Sequence, residues 1–169
     1  VVIGVSMSDG DTNYRLVRKA GLAKIGAKDI DPAHYLVGYT GAIASLPILQ
    51  QAAAGIGSVN TVYDRDGIVR RVPLLVSGGE TIYPSLAAEA LRVALGEKNY
   101  VVKFSGAQGT WLVGWRDGIV GFAIGKASNL PIKTDPRAQV WLRDTGHMAE
   151  RYVPAWKVLA GEADLGGNI

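Results

Sequence analysis

Gly57-Ser58-Val59-Asn60, then Asp64-Arg65-Asp66-Gly67, then Val69-Arg70-Arg71-Val72-Pro73-Leu74-Leu75, closed by Tyr83-Pro84-Ser85-Leu86-Ala87, is the stretch on which the fold turns. Residues 56–63 read as a strand, with Ile56, Ser58, Asn60 and Val62 on one face and Gly57, Val59, Thr61 and Tyr63 on the other. Residues 64–67 supply a hairpin turn, in which Asp64 bonds backbone N–H groups and Gly67 takes a positive φ. Residues 68–76 are the return strand. Its far half is apolar on both faces, which predicts burial. Pro73 removes a ladder donor and predicts a bulge or a sheet edge at that point. Tyr83-Pro84-Ser85 opens a helix. Leu86, Ala87, Ala90, Leu91, Ala94 and Leu95 form its apolar stripe, Glu89 and Arg92 take the other face, and Gly96 stops it.

On either side the pattern continues in short elements. Residues 1–7 are a nearly continuous apolar run that suits a buried strand, and Ser8-Asp9-Gly10-Asp11 is a turn. Residues 14–26 admit two readings, a short helix around Leu16, Val17 and Ala20 or a strand over 20–25. Ser45 is the expected N-cap of a helix with Pro47 in its first turn. Leu46, Leu49, Ala52 and Ala53 share a face and Gly55 ends it. Residues 100–104, 118–124 and 138–142 are further strands, residues 106–114 a loop carrying Trp111, and residues 154–160 a short helix terminated by Gly161. Trp141 and Trp156 are expected in the core. Trp111 and Trp115 flank a glycine-rich loop, where they line a pocket or face a membrane or a dimer partner. The fold class expected is α/β, with α+β as the alternative: one domain whose mixed β-sheet is flanked by helices around a central β-hairpin.

Composition agrees with a folded domain. The 169 residues are 48% hydrophobic and 20% charged, enough apolar material for a core without staples. The net charge of +3 is spread out, with basic pairs only at Arg18-Lys19 and Arg70-Arg71, and lacks the basic stripe of a nucleic-acid binder. The chain has no cysteine, which excludes disulfides and thiolate zinc sites. No apolar run reaches the roughly 18–20 residues that cross a bilayer. The sequence opens on Val1-Val2-Ile3, inside a strand, and stops at Asn168-Ile169, where another is about to begin. The expectation is therefore a domain spanning 1–169 that is truncated at both ends.

Motifs for catalysis fail one by one. Gly55-Ile56-Gly57 lies between a helix and a strand, the reverse of a dinucleotide fingerprint, and lacks the third glycine. Asp64 and Asp66 lack the further ligands of a calcium loop. His34 and His147 stand apart, neither with a His or Cys one helical turn away, and read as surface residues. No Gly-x-Ser-x-Gly is present. Neither a catalytic residue, nor a metal ligand, nor a cofactor is assigned, and a small α/β hydrolase remains the minor alternative. Arg70-Arg71 keeps two readings. One is a structural ion pair with Asp64, Asp66 or Glu89; the other is a carboxylate or phosphate ligand gripped by the guanidinium fork. Because neighbours on a strand face opposite ways, one arginine at most is expected at any one site. The candidate ligand-binding set is Ser58, Asn60, Asp64, Asp66, Arg70, Arg71 and Tyr83, favouring a small anionic molecule.

The run GIGSVNTVYDRDGIVRRVPLLVSGGETIYPSLAAEALRVALG (residues 55–96) resembles the type-2 CHASE domain, an extracytoplasmic sensory domain of bacteria. LPIKTDPRAQVWLRDTG (130–146) and RYVPAWKVLAGEADLGGNI (151–169) are similar to that family's following segments, and residues 1–44 match more loosely. The resemblance implies a periplasmic module of an inner-membrane protein, tethered through segments outside this chain. It also implies a likeness to the members joined to class III adenylate or guanylate cyclases, with a histidine or Ser/Thr kinase as the other parent. The family's opening strand and helix, with its Trp-Pro-rich segment, do not precede Val1, and its closing strand does not follow Ile169. Asn60, Asp64, Asp66, Arg70, Arg71, Pro73, Tyr83, Pro84 and Ser85 match the family pattern, which assigns none of them as a ligand contact. The function expected is signal sensing without catalysis. A homodimer is expected and nucleic acid is not. The alternative is a dimerisation module that senses nothing itself.

Overall fold

A computed structural model describes residues 1–10, 16–26, 31–79, 81–104, 118–125, 131–149 and 152–163. Its strands are β1 (Val2–Ser8), β2 (Gly21–Ile25), β3 (Val37–Tyr39), β4 (Gly41–Ile43), β5 (Gly55–Ser58), β6 (Arg71–Pro73), β7 (Leu75–Gly78), β8 (Thr81–Pro84), β9 (Asn99–Phe104), β10 (Ile119–Ile124), β11 (Ile132–Lys133) and β12 (Gln139–Trp141). Its helices are α1 (Pro47–Ala52), α2 (Leu86–Ala94) and α3 (Ala155–Leu159), and a 3-10 turn covers Pro32–His34. The domain is of the α/β type with mixed sheets, as expected, but its strands are divided among four ladders.

Two of those ladders are joined into one layer. β1 pairs with β4 antiparallel and with β5 in parallel; β7 pairs with β3 in parallel and with β8 antiparallel. A parallel bridge from Ser58 to Ser85 links the β5 and β8 edges. Val5, Met7, Ala42, Ala53, Ile56, Val76 and Tyr83 pack together within this layer. The second layer has the order β11-β10-β9-β2. Along β9, Tyr100, Val102 and Phe104 face inward while Asn99 and Lys103 meet solvent, the two-residue alternation of a half-covered sheet. Tyr100 stacks on Phe122 at 5.2 Å between ring centres, worth about 1 kcal/mol beyond the area the rings bury. The remaining ladder is the antiparallel ribbon β6–β12.

Several sequence readings are corrected. The strand predicted over 56–63 ends at Ser58, because β5 pairs with β1 instead of running into a hairpin ladder. The turn itself forms: Gly67 N–H donates to the Asp64 carbonyl and Gly67 sits at φ +78°. Among the described residues, the Val62–Arg71 bridge is the one strand-type pairing between the two arms, beside the Asp64–Ile68 backbone bond, so the central hairpin is a tight loop between sheets. The return strand breaks at Leu74, next to Pro73 as its missing donor requires, and β6 and β7 join different ladders. Residues 21–25 are strand. In α1 the cap is Leu46, not Ser45. Its apolar residues are outside: Leu46, Ile48 and Leu49 are exposed, and Gln50 is the buried side chain, bonded to Val17 N–H and the Ser45 carbonyl. Trp141 and Trp156 are not core but 70% and 60% exposed. Trp111, Trp115 and the loop over 106–114 lie outside the described residues.

The largest correction concerns α2. Ser85 caps it as expected, its hydroxyl accepting from Ala88 N–H at 3.3 Å. The helix nevertheless lies with Ala88, Glu89 and Arg92 inward, while Ala87, Ala94 and Leu95 are exposed. Leu86, Ala90 and Leu91 stay half-buried, with Leu91 against the core, so the helix is rotated and not turned over, and Gly55 and Gly57 explain the rotation. A Cβ on Gly57 would lie 2.5 Å from Leu86 Cα, and one on Gly55 would lie 2.6 Å from Glu89 Oε1. The helix thus rests against glycine backbone, close enough for Glu89 to bond the strand beneath it. These glycines are required by close approach, not by turn geometry.

Candidate functional site

The charged residues of the decisive stretch gather on the outer loop. Asp64 stands at its centre: Arg71 Nη2 donates to Oδ1 at 2.6 Å and Arg70 Nη1 to Oδ2 at 3.1 Å. Arg70 also grips Asp66 in a two-pronged contact, 2.9 Å to Oδ1 and 2.7 Å to Oδ2. Asp135 Oδ2 lies 3.6 Å from Arg71 Nη1. Both arginines reach one carboxylate, contrary to the strand-parity expectation, because β6 begins only at Arg71 and Arg70 lies in the irregular backbone before it. Asp66, not Asp64, caps the loop, accepting from Ile68 N–H at 3.2 Å. The Arg71 guanidinium, then that of Arg70, holds the Asp64 carboxyl below the usual carboxylate range; Arg70 does the same for Asp66. The same pairings raise both arginines.

The ribbon continues this cluster to Trp141. Arg71 stands opposite Trp141 in the β6–β12 register, its guanidinium carbon 5.5 Å from the ring centre. Leu142 N–H bonds the Arg70 carbonyl, carrying the pairing one residue further. Beyond it an open cleft of about 560 Å³ is lined by Val69, Arg70, Trp141, Leu142, Arg143 and Asp144.

Ser58, Asn60 and Tyr83 are placed elsewhere. Asn60 Oδ1 accepts from Met7 N–H at 2.6 Å and from Ser58 Oγ at 3.0 Å, and its Nδ2 donates to the Met7 carbonyl at 2.9 Å. The side-chain amide extends the β1 ladder past the end of β5, just as a backbone amide would. Tyr83 is buried and its hydroxyl donates to the Leu16 carbonyl at 3.4 Å; burial pushes its pKa up. Among the described residues, Asp64, Asp66, Arg70 and Arg71 form one group, and the other three members of the candidate set share none of its bonds.

A second charged group was placed on the wrong face by the sequence reading. Glu89 is 0% exposed and accepts Arg92 Nε at 2.9 Å, Arg92 Nη2 at 2.7 Å, Ile56 N–H at 3.3 Å and the Tyr100 hydroxyl. Arg92 also donates to the carbonyls of Ala54 and Glu97. Burial, then the Glu89 carboxylate, raises Tyr100 far above an ordinary phenol, and the Glu89 bond raises Arg92. The only trace in the sequence is the i, i+3 spacing of Glu89 and Arg92 above a Gly-x-Gly strand. A neighbouring void of about 10 Å³, lined in part by Tyr83, Glu89 and Tyr100, has room for about one water.

Among the described residues, no set of three or more His, Cys, Asp or Glu is placed to hold a metal. His34 is exposed in the 3-10 turn, and His147 stacks on Tyr152 at 5.0 Å. Against known families, the model of the CHASE2 domain matches residues 2–168. The chain belongs to the CHASE2 family. CHASE2 domains are extracytoplasmic sensory domains found in cyclases and kinases. Comparison with curated proteins and with solved structures gave no match. No helix of this CHASE2 domain, among the described residues, is long and apolar enough to cross a membrane.

Proposed function

We propose that this CHASE2 domain is the periplasmic sensing module of a membrane-bound class III adenylate or guanylate cyclase. It is tethered through segments of the longer protein, acts as a homodimer and performs no chemistry of its own. A small anionic ligand is its signal. The observation that carries the reading is the family match over residues 2–168. The outer cluster supports it, since Arg70 lines an open cleft and its partner Asp64 also holds Arg71, so the charges gather at the surface and not deep in the core. A ligand there shifts output only through unequal affinity for two states of the domain or dimer, and couplings of roughly 1–3 kcal/mol suffice for regulation.

The test is cyclase output from the full-length parent in membranes, with this domain intact and with it replaced by an inert domain. Loss of stimulus dependence on replacement is the expected result. A parent whose cytoplasmic part forms no cyclic nucleotide overturns the cyclase assignment.

A second reading is a dimerisation module of a membrane histidine or Ser/Thr kinase. It is favoured by apolar side chains that face solvent: Leu95 at the C-terminal end of α2, and Trp156, Val158 and Leu159 on α3. Both readings expect a dimer in light scattering after size exclusion, so ligand response separates them. A stable dimer without ligand response supports this second reading, a dimer that responds to ligand supports the first, and a monomer overturns the second reading and the homodimer of the first.

A further inference from the structure

We infer that the cleft beyond the β6–β12 ribbon binds a small planar aromatic anion, with Trp141 as the stacking platform and Arg143 as the anion contact. The inference rests on the sensory reading above and names the ligand class for its outer cleft. Three observations carry it. Trp141 is 70% exposed although indole is among the costliest side chains to leave in water, and Arg71 already braces the ring from across the ribbon. Arg143 is exposed, lines the same cleft, and has no ion-pair or hydrogen-bond partner among the described residues. The cleft, at about 560 Å³, falls in the size range of small-molecule sites.

The neighbouring charges sort the arginines by availability. Arg70 has both terminal nitrogens committed to Asp64 and Asp66, so it shapes the wall and leaves the anion to Arg143. Asp144 also lines the cleft, but one of its oxygens accepts from Gly146 N–H at 2.8 Å. That carboxylate disfavours highly charged ligands and favours a single negative charge. A flat ring on Trp141 with one carboxylate or phosphate toward Arg143 uses both exposed groups at once.

The experiment follows the four tryptophan indole N–H signals of the 169-residue protein by NMR, with Trp141 assigned from a Trp141→Phe variant. Probes are benzoate, phenyl phosphate, cyclohexanecarboxylate and benzyl alcohol at up to roughly 10 mM, the range of weak fragment binding. Benzoate is expected to move the Trp141 signal, with phenyl phosphate reporting whether a doubly charged headgroup is tolerated. Cyclohexanecarboxylate and benzyl alcohol each lose one recognition element and should bind about fivefold or more weakly. Arg143→Ala should weaken benzoate about tenfold while leaving the melting temperature unchanged, since Arg143 is exposed and makes no hydrogen bond or ion pair among the described residues. Failure of every aromatic anion to move Trp141, or an Arg143→Ala variant that binds benzoate as tightly as wild type, overturns the site and leaves the sensory reading standing. Binding at Trp141 combined with a parent whose output ignores saturating benzoate supports the site and overturns its role as the sensory input.

Discussion

Neutralising Glu89 tests whether α2 is held by its buried charges. In Glu89→Gln the shape survives, but the carboxylate that accepted four donors becomes an amide with one oxygen and an NH2 that must face donors. Arg92 is then a 5% exposed guanidinium without a counter-charge. Breaking a buried pair by removing one partner costs about 3–5 kcal/mol. The Gln oxygen retains part of the network, which places the expected loss near 3 kcal/mol. For a chain of this length that lowers the melting temperature by about 6–12 °C. Arg92→Met should cost a similar ~3 kcal/mol, since it leaves Glu89 charged and frees the carbonyls of Ala54 and Glu97. The two changes together should cost less than their sum by about 2 kcal/mol, because the double variant holds no orphaned charge. Urea unfolding at pH 7, followed by circular dichroism, measures all three. A Glu89→Gln loss under about 1 kcal/mol, or additivity within about 0.5 kcal/mol, would refute the claim that the pair clamps the helix to the sheets.

Two further outcomes follow from other contacts. Gly57→Ala places a methyl 2.5–2.8 Å from the Leu86 and Ser85 backbone and should destabilise by about 3 kcal/mol, whereas Gly38→Ala, with nothing within 4 Å, should change stability by less than about 1 kcal/mol; equal effects in chemical denaturation would show that α2 does not rest on β5. Asp64 and Asp66 have depressed folded-state pKa values, so their contribution is complete above the unfolded value near pH 4 and is lost as pH falls through the folded values. An Asp64→Asn, Asp66→Asn variant should therefore lose stability less steeply than wild type below about pH 4, and identical slopes would exclude a role for the cluster in acid sensitivity.

Much of the chain was legible because its signals are local. Gly67 and Gly161 mark where the backbone must turn with positive φ, Ser85 marks the start of α2, and Pro73 marks the break between β6 and β7. The pairing of Arg70 and Arg71 with Asp64 and Asp66 was also readable, as one of two alternatives, because all four lie within eight residues. The short strands β3, β4 and β11 were not found: at two or three residues, they carry too little periodicity to register.

What composition and local pattern determined is the α/β class, the order of the longer elements and the resemblance to a sensory family, since each rests on neighbours in the chain. Which face of α2 is buried was decided only in three dimensions. Two glycines of β5, some thirty residues away, bring the helix close enough for Glu89 and Arg92 to satisfy one another and the strand backbone, while Leu91 of the apolar stripe still packs on the core and Leu95 is left outside. The exposure of Trp141 was decided in the same way. Hydrophobicity states what a side chain costs in water, but the ribbon's register states where it goes, and β12 pairs at the edge with β6 alone.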